Sequence, residues 1–172
     1  MLYAEALTIL AYEVAAFGEE TTAASLFEEA LALAKKGESR EDTARTLCDS
    51  GLLALRQGDM VQAHARYGES LAALMDLWTT ARLTARTIWI AASCLEGLGE
   101  IAFGQGQATW TVWLFGAAEA LRASGAHRNP VGIEQPFYER TLTAARTQLG
   151  EETFAALWSK GQAMTPIEHD LV

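Results

Sequence analysis

Two carboxylates stand at a spacing that could bind a cation. Glu96 and Glu100 lie four residues apart, so a helix would place both on one face. Carboxylate oxygens can hold a metal ion or a cationic ligand. However, none of the histidines, His64, His127 and His169, has a ligand or catalytic partner at helical spacing. Paired glutamates are far more common on a solvated helix face, and we interpret this pair in that way.

A second stretch, Gly97-Leu98-Gly99-Glu100-Ile101-Ala102, has the spacing of a dinucleotide-binding fingerprint. That fingerprint needs a preceding strand and a turn that brings backbone amides to a helix N-terminus. Here the glycines lie inside an amphipathic helical pattern, where they would allow close helix packing. The chain also lacks a phosphate-cradling loop and the surround of a hydrolase nucleophile. We expect no catalytic residue, no cofactor and no metal, and therefore no enzyme.

The charge balance argues against direct nucleic-acid binding. The chain has 13 lysines and arginines against 22 aspartates and glutamates, a formal net charge of −9. Phosphate neutralisation supplies most non-specific DNA affinity and needs a basic face. No apolar run approaches the roughly 20 residues of a membrane span, and residues 1–5 lack the features of a signal peptide. We expect a cytoplasmic protein that does not bind a membrane.

The two cysteines, Cys48 and Cys94, are too few and too far apart to indicate a zinc site or a disulfide framework. Free cysteine is among the most buried residue types. We predict two reduced thiols in the core.

The architecture follows from a pattern that occurs three times. Leu7, Leu47 and Leu95 each precede a glycine by eleven residues, and the copies begin 40 and then 48 residues apart. The remaining spacing is the same in each copy. The equivalent sets are Ala11, Gly51 and Gly99; Gly18, Gly58 and Gly106; Ala23, Ala63 and Thr111; Phe27, Tyr67 and Phe115; and Ala30, Ser70 and Ala118. Such self-similarity is typical of a helical-repeat protein.

Each shared residue type has a mechanical reason. The glycine permits the left-handed conformation that ends a first helix. Small residues let the two helices of a pair approach closely, and the aromatic residue fills the space between one pair and the next. A single pair cannot bury its apolar stripe, so the copies must stack.

We predict an all-α chain in two parts. Residues 1–125 hold three helix pairs, at about 3–37, 40–78 and 82–125, and residues 126–172 form a C-terminal helical cap. The six paired helices are expected at about 3–17, 20–36, 40–57, 60–77, 82–104 and 108–123. Further helix ends are predicted near Gly37, at Gly150 and near Gly161, and Ser39 and Asp59 are predicted caps.

The end of the cap has the sequence pattern of a helix start, followed by only a few residues. Thr165, Pro166 and Glu168 are the residues that open a helix, yet the chain reaches only Val172. We expect the cap to be truncated and the sequence to be a piece of something longer. The loop 126–132 before the cap is the least regular stretch.

The repeat pattern resembles the tetratricopeptide repeat, whose large and small residues fall at these offsets within a 34-residue unit. The match covers about residues 4–124. It departs at the signature tryptophan position, which holds Leu7, Leu47 and Leu95, and at Thr111, which replaces an alanine. The longer period looks like the repeats of about 40 residues in large bacterial signalling regulators. The resemblance implies a right-handed α-α superhelix, a solenoid of about three helix pairs with two to three capping helices.

The second half of the chain, about residues 90–172, carries a more specific pattern. Its elements are Gly116-Ala117-Ala118-Glu119-Ala120-Leu121-Arg122, Tyr138-Glu139-Arg140, 149–158 and Gly161-Gln162-Ala163-Met164-Thr165. This pattern is similar to the end of the helical-repeat region of large bacterial regulators of the LuxR type, which pair an NTPase module with such repeats and a helix-turn-helix domain. Neither the NTPase motif nor the DNA-binding motif is in this sequence.

The tetratricopeptide resemblance also implies a peptide groove lined by the first helix of each pair. Carried over by position, the groove would include Tyr12, Arg45, Arg56, Glu96 and Glu100. Trp110 is a candidate contact residue, because tryptophan is enriched at protein interfaces. Ordinary packing between helices is the alternative for this tryptophan.

We therefore expect a non-catalytic protein-interaction and sensor segment of a bacterial transcriptional regulator, with a protein, a peptide or neighbouring domains of the same regulator as partner. One alternative is a free-standing adaptor that binds a peptide or forms a homodimer through its C-terminal helices. A more remote alternative is a small-molecule pocket between the repeats and the loop 127–134.

Overall fold

The computed structural model describes residues 2–79, 84–124 and 135–164, and all regular structure in these ranges is helical. The all-α prediction is confirmed. None of the described helices is both long and apolar enough to cross a membrane. The helices are α1 (Leu2–Ala16), α2 (Glu20–Lys36), α3 (Arg40–Arg56), α4 (Met60–Thr79), α5 (Ala85–Gly104), α6 (Ala108–Ala123), α7 (Gln135–Leu149) and α8 (Glu151–Gln162).

The helices belong to two compact units, Met1–Ala81 and Arg82–Val172. The first unit contains α1 to α4, and α3 packs against α4, α2 and α1. The second contains α5 to α8, and α6 packs against α5, α7 and α8. The first two predicted pairs thus lie in one unit, and the third lies with the cap helices in the other.

Three short turns share one backbone geometry. Gly18, Gly58 and Gly106 have φ angles of +86°, +79° and +76°, in the left-handed region that glycine adopts without steric cost. In the second turn, the amide of Gly58 donates to Leu55 O at 3.1 Å and that of Asp59 to Ala54 O at 2.9 Å. This bonding satisfies carbonyls that the helix end leaves unpaired. The predicted role of the three glycines is confirmed.

The helix starts also follow the sequence. The Ser39 hydroxyl accepts the amide of Asp42, and the Asp59 carboxylate accepts the amide of Gln62 at 2.9 Å. Both predicted caps are therefore present. A further cap lies at Thr84, where Thr84 and Thr87 form a reciprocal capping box that starts α5.

Helix α2 ends at Lys36, next to Gly37, as predicted. Gly37 has an ordinary φ of −82°, and the left-handed residue is Glu38, with φ of +54°. The amide of Ser39 donates to Ala34 O, so the turn has the same bonding as the glycine turns. A residue with a side chain thus occupies a conformation that costs roughly 1–2 kcal/mol for L-amino acids.

In the first unit, the small residues of the repeat lie against the aromatic ones. A Cβ added at Gly51 would lie 3.0 Å from the ring of Tyr67, so the ring packs on the backbone of α3 within its own pair. Phe27 clusters with Ala11 and Ala23 of its own pair and with Leu53 of the next. The aromatic position therefore fills the space inside a pair as well as the predicted space between pairs.

In the second unit, Phe115 repeats this arrangement. A Cβ added at Gly99 would lie only 2.4 Å from the Phe115 ring, whose other neighbours include Tyr138 of α7, with ring centroids 4.6 Å apart. The Thr111 hydroxyl donates to the carbonyl of Gly99 at 3.0 Å. The departure from alanine at Thr111 thus provides a hydrogen bond between α6 and α5.

Helices α6 and α8 approach each other closely at two glycines. A Cβ added at Gly116 would lie 2.5 Å from the carbonyl oxygen of Trp158, and one added at Gly161 would lie 2.2 Å from that of Trp113. Helix α8 ends at Gln162, one residue past Gly161, which confirms the predicted end near this glycine. The missing side chain of Gly161 also serves close packing.

The predicted stripe of α7 is confirmed, since Tyr138 and Ala145 are buried and Leu142 packs against the core formed with Phe154. Cys48 and Cys94 are free and buried, as predicted. The predictions for the loops 126–132 and 127–134, for His127 and His169, and for the helix start at 165–168 lie outside the described residues.

Candidate protein-interaction site

Helix α1 is apolar on its buried face and also on an exposed side next to it. Ala4, Leu7, Ala11 and Ala15 form its buried face. On the exposed side, Tyr3, Leu10 and Phe17 follow one another at intervals of seven residues, with 64%, 48% and 85% of their surface exposed. A spacing of seven keeps side chains on one side of a helix. We call Tyr3, Ala6, Leu10, Glu13 and Phe17 the outer stripe; all five are exposed.

A helix that is apolar all round is normally buried. Burying a large apolar side chain contributes about 1.5–3 kcal/mol, and aromatic side chains are enriched at protein interfaces. Single exposed apolar residues are ordinary, but Tyr3 and Leu10 of α1 and Phe17, the first residue after it, share one side of the helix. The outer stripe can therefore act as an interaction surface.

The sequence predicted different contact residues in the first unit. Arg56 is exposed in the last turn of α3, which leaves it accessible to a partner. Arg45 is half-buried, and its Nε donates to Asp49 Oδ2 at 2.5 Å. Tyr12 is also half-buried and packs against the cluster around Phe27. Of these three groove candidates, Arg56 is the most exposed.

In the second unit, Glu96 is part of the core. Its carboxylate accepts hydrogen bonds from Arg122, from Nε to Oε1 at 3.0 Å and from Nη2 to Oε2 at 2.7 Å. The two side chains are 5% exposed for Arg122 and 11% for Glu96. The predicted solvated face is wrong at this position, because an arginine 26 residues later in the chain neutralises the glutamate inside the protein.

Glu100 lies one helical turn beyond Glu96 and contacts α7. Its Oε2 accepts a hydrogen bond from the Thr141 hydroxyl at 2.6 Å. Its Oε1 is buried and has no hydrogen-bond partner among the described residues. Burial raises the pKa of the Glu100 carboxyl above its usual value, and the hydrogen bond from Thr141 and the charge of Arg140 partly oppose this shift. The pair Glu96 and Glu100 therefore serves contacts between helices.

Trp110 is 48% exposed near the start of α6. Its ring meets that of Trp113 edge to face, with centroids 4.7 Å apart. Trp113 is half-buried, and its indole Nε1 has no hydrogen-bond partner within the described ranges. Trp110 thus combines packing on its neighbour with an exposed ring, and both sequence interpretations retain support.

A shallow depression lies between α7 and α8 in the second unit. Leu142, Phe154 and Trp158 line it, and the Arg146 guanidinium lies 4.3 Å from the centre of the Phe154 ring. Arg146 also pairs with Glu151 at 3.3 Å. These contacts join α7 and α8 to each other. They engage the charged side chains of the depression, so few polar groups are left to bind a ligand.

Sequence reasoning did not single out the outer stripe. Its signal was the interval of seven between Tyr3, Leu10 and Phe17. Comparison with known proteins gave no match to a protein-family model, a curated protein or a solved structure.

Proposed function

We propose that the chain is a non-catalytic, cytoplasmic protein-interaction segment and that the outer stripe of α1 is its principal contact surface. The observation that carries this proposal is the exposure of Tyr3 and Leu10 on α1, and of Phe17 directly after it, although α1 already buries another apolar face. Covering these side chains would remove apolar surface from water, which is the main driving force of association.

The test is a photo-crosslinking amino acid placed at Leu10 in cells of the source organism. The matched control places the same amino acid at Glu29, an exposed position on α2. We expect a discrete crosslinked product from position 10 and none from position 29. Equal labelling from both positions, or none from either, would overturn the stripe as the contact surface.

The proposed context is a bacterial transcriptional regulator of the LuxR type, in which this segment acts as a sensor. The support is the sequence resemblance over about residues 90–172. In such a regulator, a bound partner would favour one of two states of the whole protein in proportion to its preference for that state. Tetratricopeptide-like stacking of the helix pairs is part of this proposal.

Reading the genomic DNA on both sides of this coding segment tests that context. An open frame that continues into an NTPase upstream or a helix-turn-helix domain downstream would support the regulator. Stop codons close to both ends would overturn it and leave a free-standing adaptor.

The groove on the first helix of each pair is a second proposed surface. The exposure of its arginines decides which one should be substituted in the test. Arg56→Glu should weaken binding of an acidic peptide, because Arg56 is exposed. Arg45→Glu is unsuitable, since it would place a second carboxylate beside the buried Asp49 and destabilise α3. Unchanged binding of an acidic peptide to the Arg56 variant in calorimetry would exclude Arg56 from the groove.

A further inference from the structure

We infer that the occupant of the outer stripe is a helix pair of the same repeat type, stacked on α1 in the way that α1 and α2 stack on α3. This inference rests on the proposed function, because it names the partner of the same surface.

The outer stripe has an equivalent side on the second repeat. The first two repeats are 40 residues apart, so Ala6, Leu10, Glu13 and Phe17 correspond to Thr46, Ser50, Leu53 and Gln57. Thr46 and Leu53 are 1% and 5% exposed and Ser50 is half-buried, whereas Ala6, Leu10 and Glu13 are exposed. Phe17 and Gln57, each just after its helix, are both exposed. Along the helices, this side of the repeat is therefore covered in α3 and open in α1.

Residues of α1 and α2 cover that side of α3. The Thr46 hydroxyl hydrogen-bonds to that of Thr8 in α1 at 2.8 Å. Leu53 packs into the cluster that contains Phe27 of α2. The Gln57 amide donates to the Glu20 carboxylate of α2 at 3.2 Å. Each contact comes from the preceding helix pair.

A helix pair that ends a stack needs a polar outer face. At two of the four positions of the stripe the change is in the opposite direction, because Leu10 replaces Ser50 and Phe17 replaces Gln57, whereas Glu13 replaces Leu53. The two large apolar side chains favour a helix pair that covers the stripe lengthwise.

The stripe also specifies features of the occupant. Opposite Ala6, the occupant needs no hydroxyl like that of Thr8, because Ala6 has no hydroxyl to bond. Opposite Phe17, the occupant should present an apolar residue, whereas α2 presents Glu20 to Gln57. Glu13 stands where α3 has Leu53, so a basic or polar side chain should face it. The preferred partner is thus more apolar than the α1–α2 pair, with one cation near its centre.

The experiment fuses a second copy of residues 1–40 directly ahead of residue 1 of the full chain, which preserves the 40-residue interval. Leu10→Cys in the original α1 reports whether the stripe is covered, through its rate of reaction with a thiol reagent. We expect the fusion to slow this reaction at least about tenfold, because a covered site reacts only when it opens. Val61→Cys, on an 83% exposed residue of α4, should react equally in both proteins.

In the first fusion, Glu20 of the added copy would face the apolar Phe17. A second fusion therefore carries Glu20→Leu in the added copy alone. It should protect the thiol at position 10 more than the first fusion does. An equal reaction rate in the single chain and in both fusions, with helicity increased by the added segment, would overturn the helix-pair occupant.

A different occupant gives a different result. If the unfused Leu10→Cys chain is protected at high concentration and light scattering gives a dimer mass, the occupant is a second copy of the chain and the helix-pair inference is wrong, while the interaction function stands. Absence of position-specific crosslinking in cells would instead remove the interaction function, whatever the fusions show.

Discussion

The guanidinium of Arg122 and the carboxylate of Glu96 form a two-point ion pair between α6 and α5, at 3.0 Å and 2.7 Å. The Ser93 hydroxyl lies 3.4 Å from Nη2 of the same arginine. Two donors of the guanidinium thus match two oxygens, the geometry that suits arginine better than lysine. This pair joins the two helices of the third predicted repeat.

Breaking this pair from one side should be costly. Arg122→Met leaves the Glu96 carboxylate buried without its cation, and we expect the free energy of unfolding to fall by about 3–5 kcal/mol. The double variant Glu96→Leu with Arg122→Met removes both charges and should recover most of that loss. Urea unfolding of Arg122→Met, of Glu96→Leu and of the double variant measures the coupling free energy between the two residues. Strictly additive losses would contradict the buried pairing.

Glu100 should make stability depend on pH with a definite sign. Its pKa is raised above 4.5 in the folded chain, so the folded state holds the proton to a higher pH than the unfolded state does. Its contribution is therefore undiminished below pH 4.5 and becomes a cost as pH rises through the folded pKa. Glu100→Gln keeps an acceptor for Thr141, and we expect it to stabilise the protein at neutral pH and not at about pH 4.

Urea unfolding midpoints across this pH range provide the measurement. Glu69→Gln, at an exposed position of α4, is the control and should show no such trend. A gain for the Glu100 variant that is the same at every pH would show that the carboxyl is not responsible.

Two glycines in helices should respond oppositely to alanine. At Gly161 the new Cβ would lie 2.2 Å from the Trp113 carbonyl, and backbone cannot yield easily, so Gly161→Ala should cost at least about 2 kcal/mol. At Gly68 the space is open, and Gly68→Ala should stabilise α4 by about 0.5–1 kcal/mol. Thermal unfolding of both variants measures the contrast. Two stabilised variants would mean that α8 does not approach α6 so closely.

The left-handed residue at the end of α2 offers a stabilising change. Glu38→Gly should raise the free energy of unfolding by about 1 kcal/mol, because glycine adopts a φ of +54° without the clash of a Cβ. Gly58→Ala, in a turn where the space around the residue is open, should lower it by about 1–2 kcal/mol through conformation alone. Chemical denaturation measures both, and a loss at Glu38→Gly would indicate that its side chain contributes more than its backbone strain costs.

Local structure could be predicted from the sequence because its signals are local. The glycine turns and the caps at Ser39 and Asp59 depend on residues within one helical turn. Glycine has two uses: Gly161 marks the end of α8, as its sequence position indicates, and its lack of a side chain also allows close packing on α6, which the sequence does not indicate. In the turn after α2, Glu38 takes the left-handed conformation and Gly37 does not. The sequence does not indicate this, because glycine is the residue type expected in that conformation.

The long-range relationships could not be predicted in this way. Arg122 meets Glu96 across 26 residues, and their pairing depends on the rotation of two helices that periodicity defines only loosely. The outer stripe was visible as an interval of seven, but α1 is apolar on two faces, and only tertiary contacts decide which face is covered.

The hydroxyl of Ser70 in α4, at a position where α2 has no hydroxyl, affects the order in which the helices of the first unit unfold. Ser70 donates to the Ala44 carbonyl at 2.7 Å and so fastens α4 to the backbone of α3. At the equivalent position α2 has Ala30, which cannot make such a bond. Local unfolding begins where fewer interactions must break. In native-state hydrogen exchange, the amides of α2 should therefore be released at a lower denaturant concentration than those of α4, which makes the first helix pair the weaker part of its own unit.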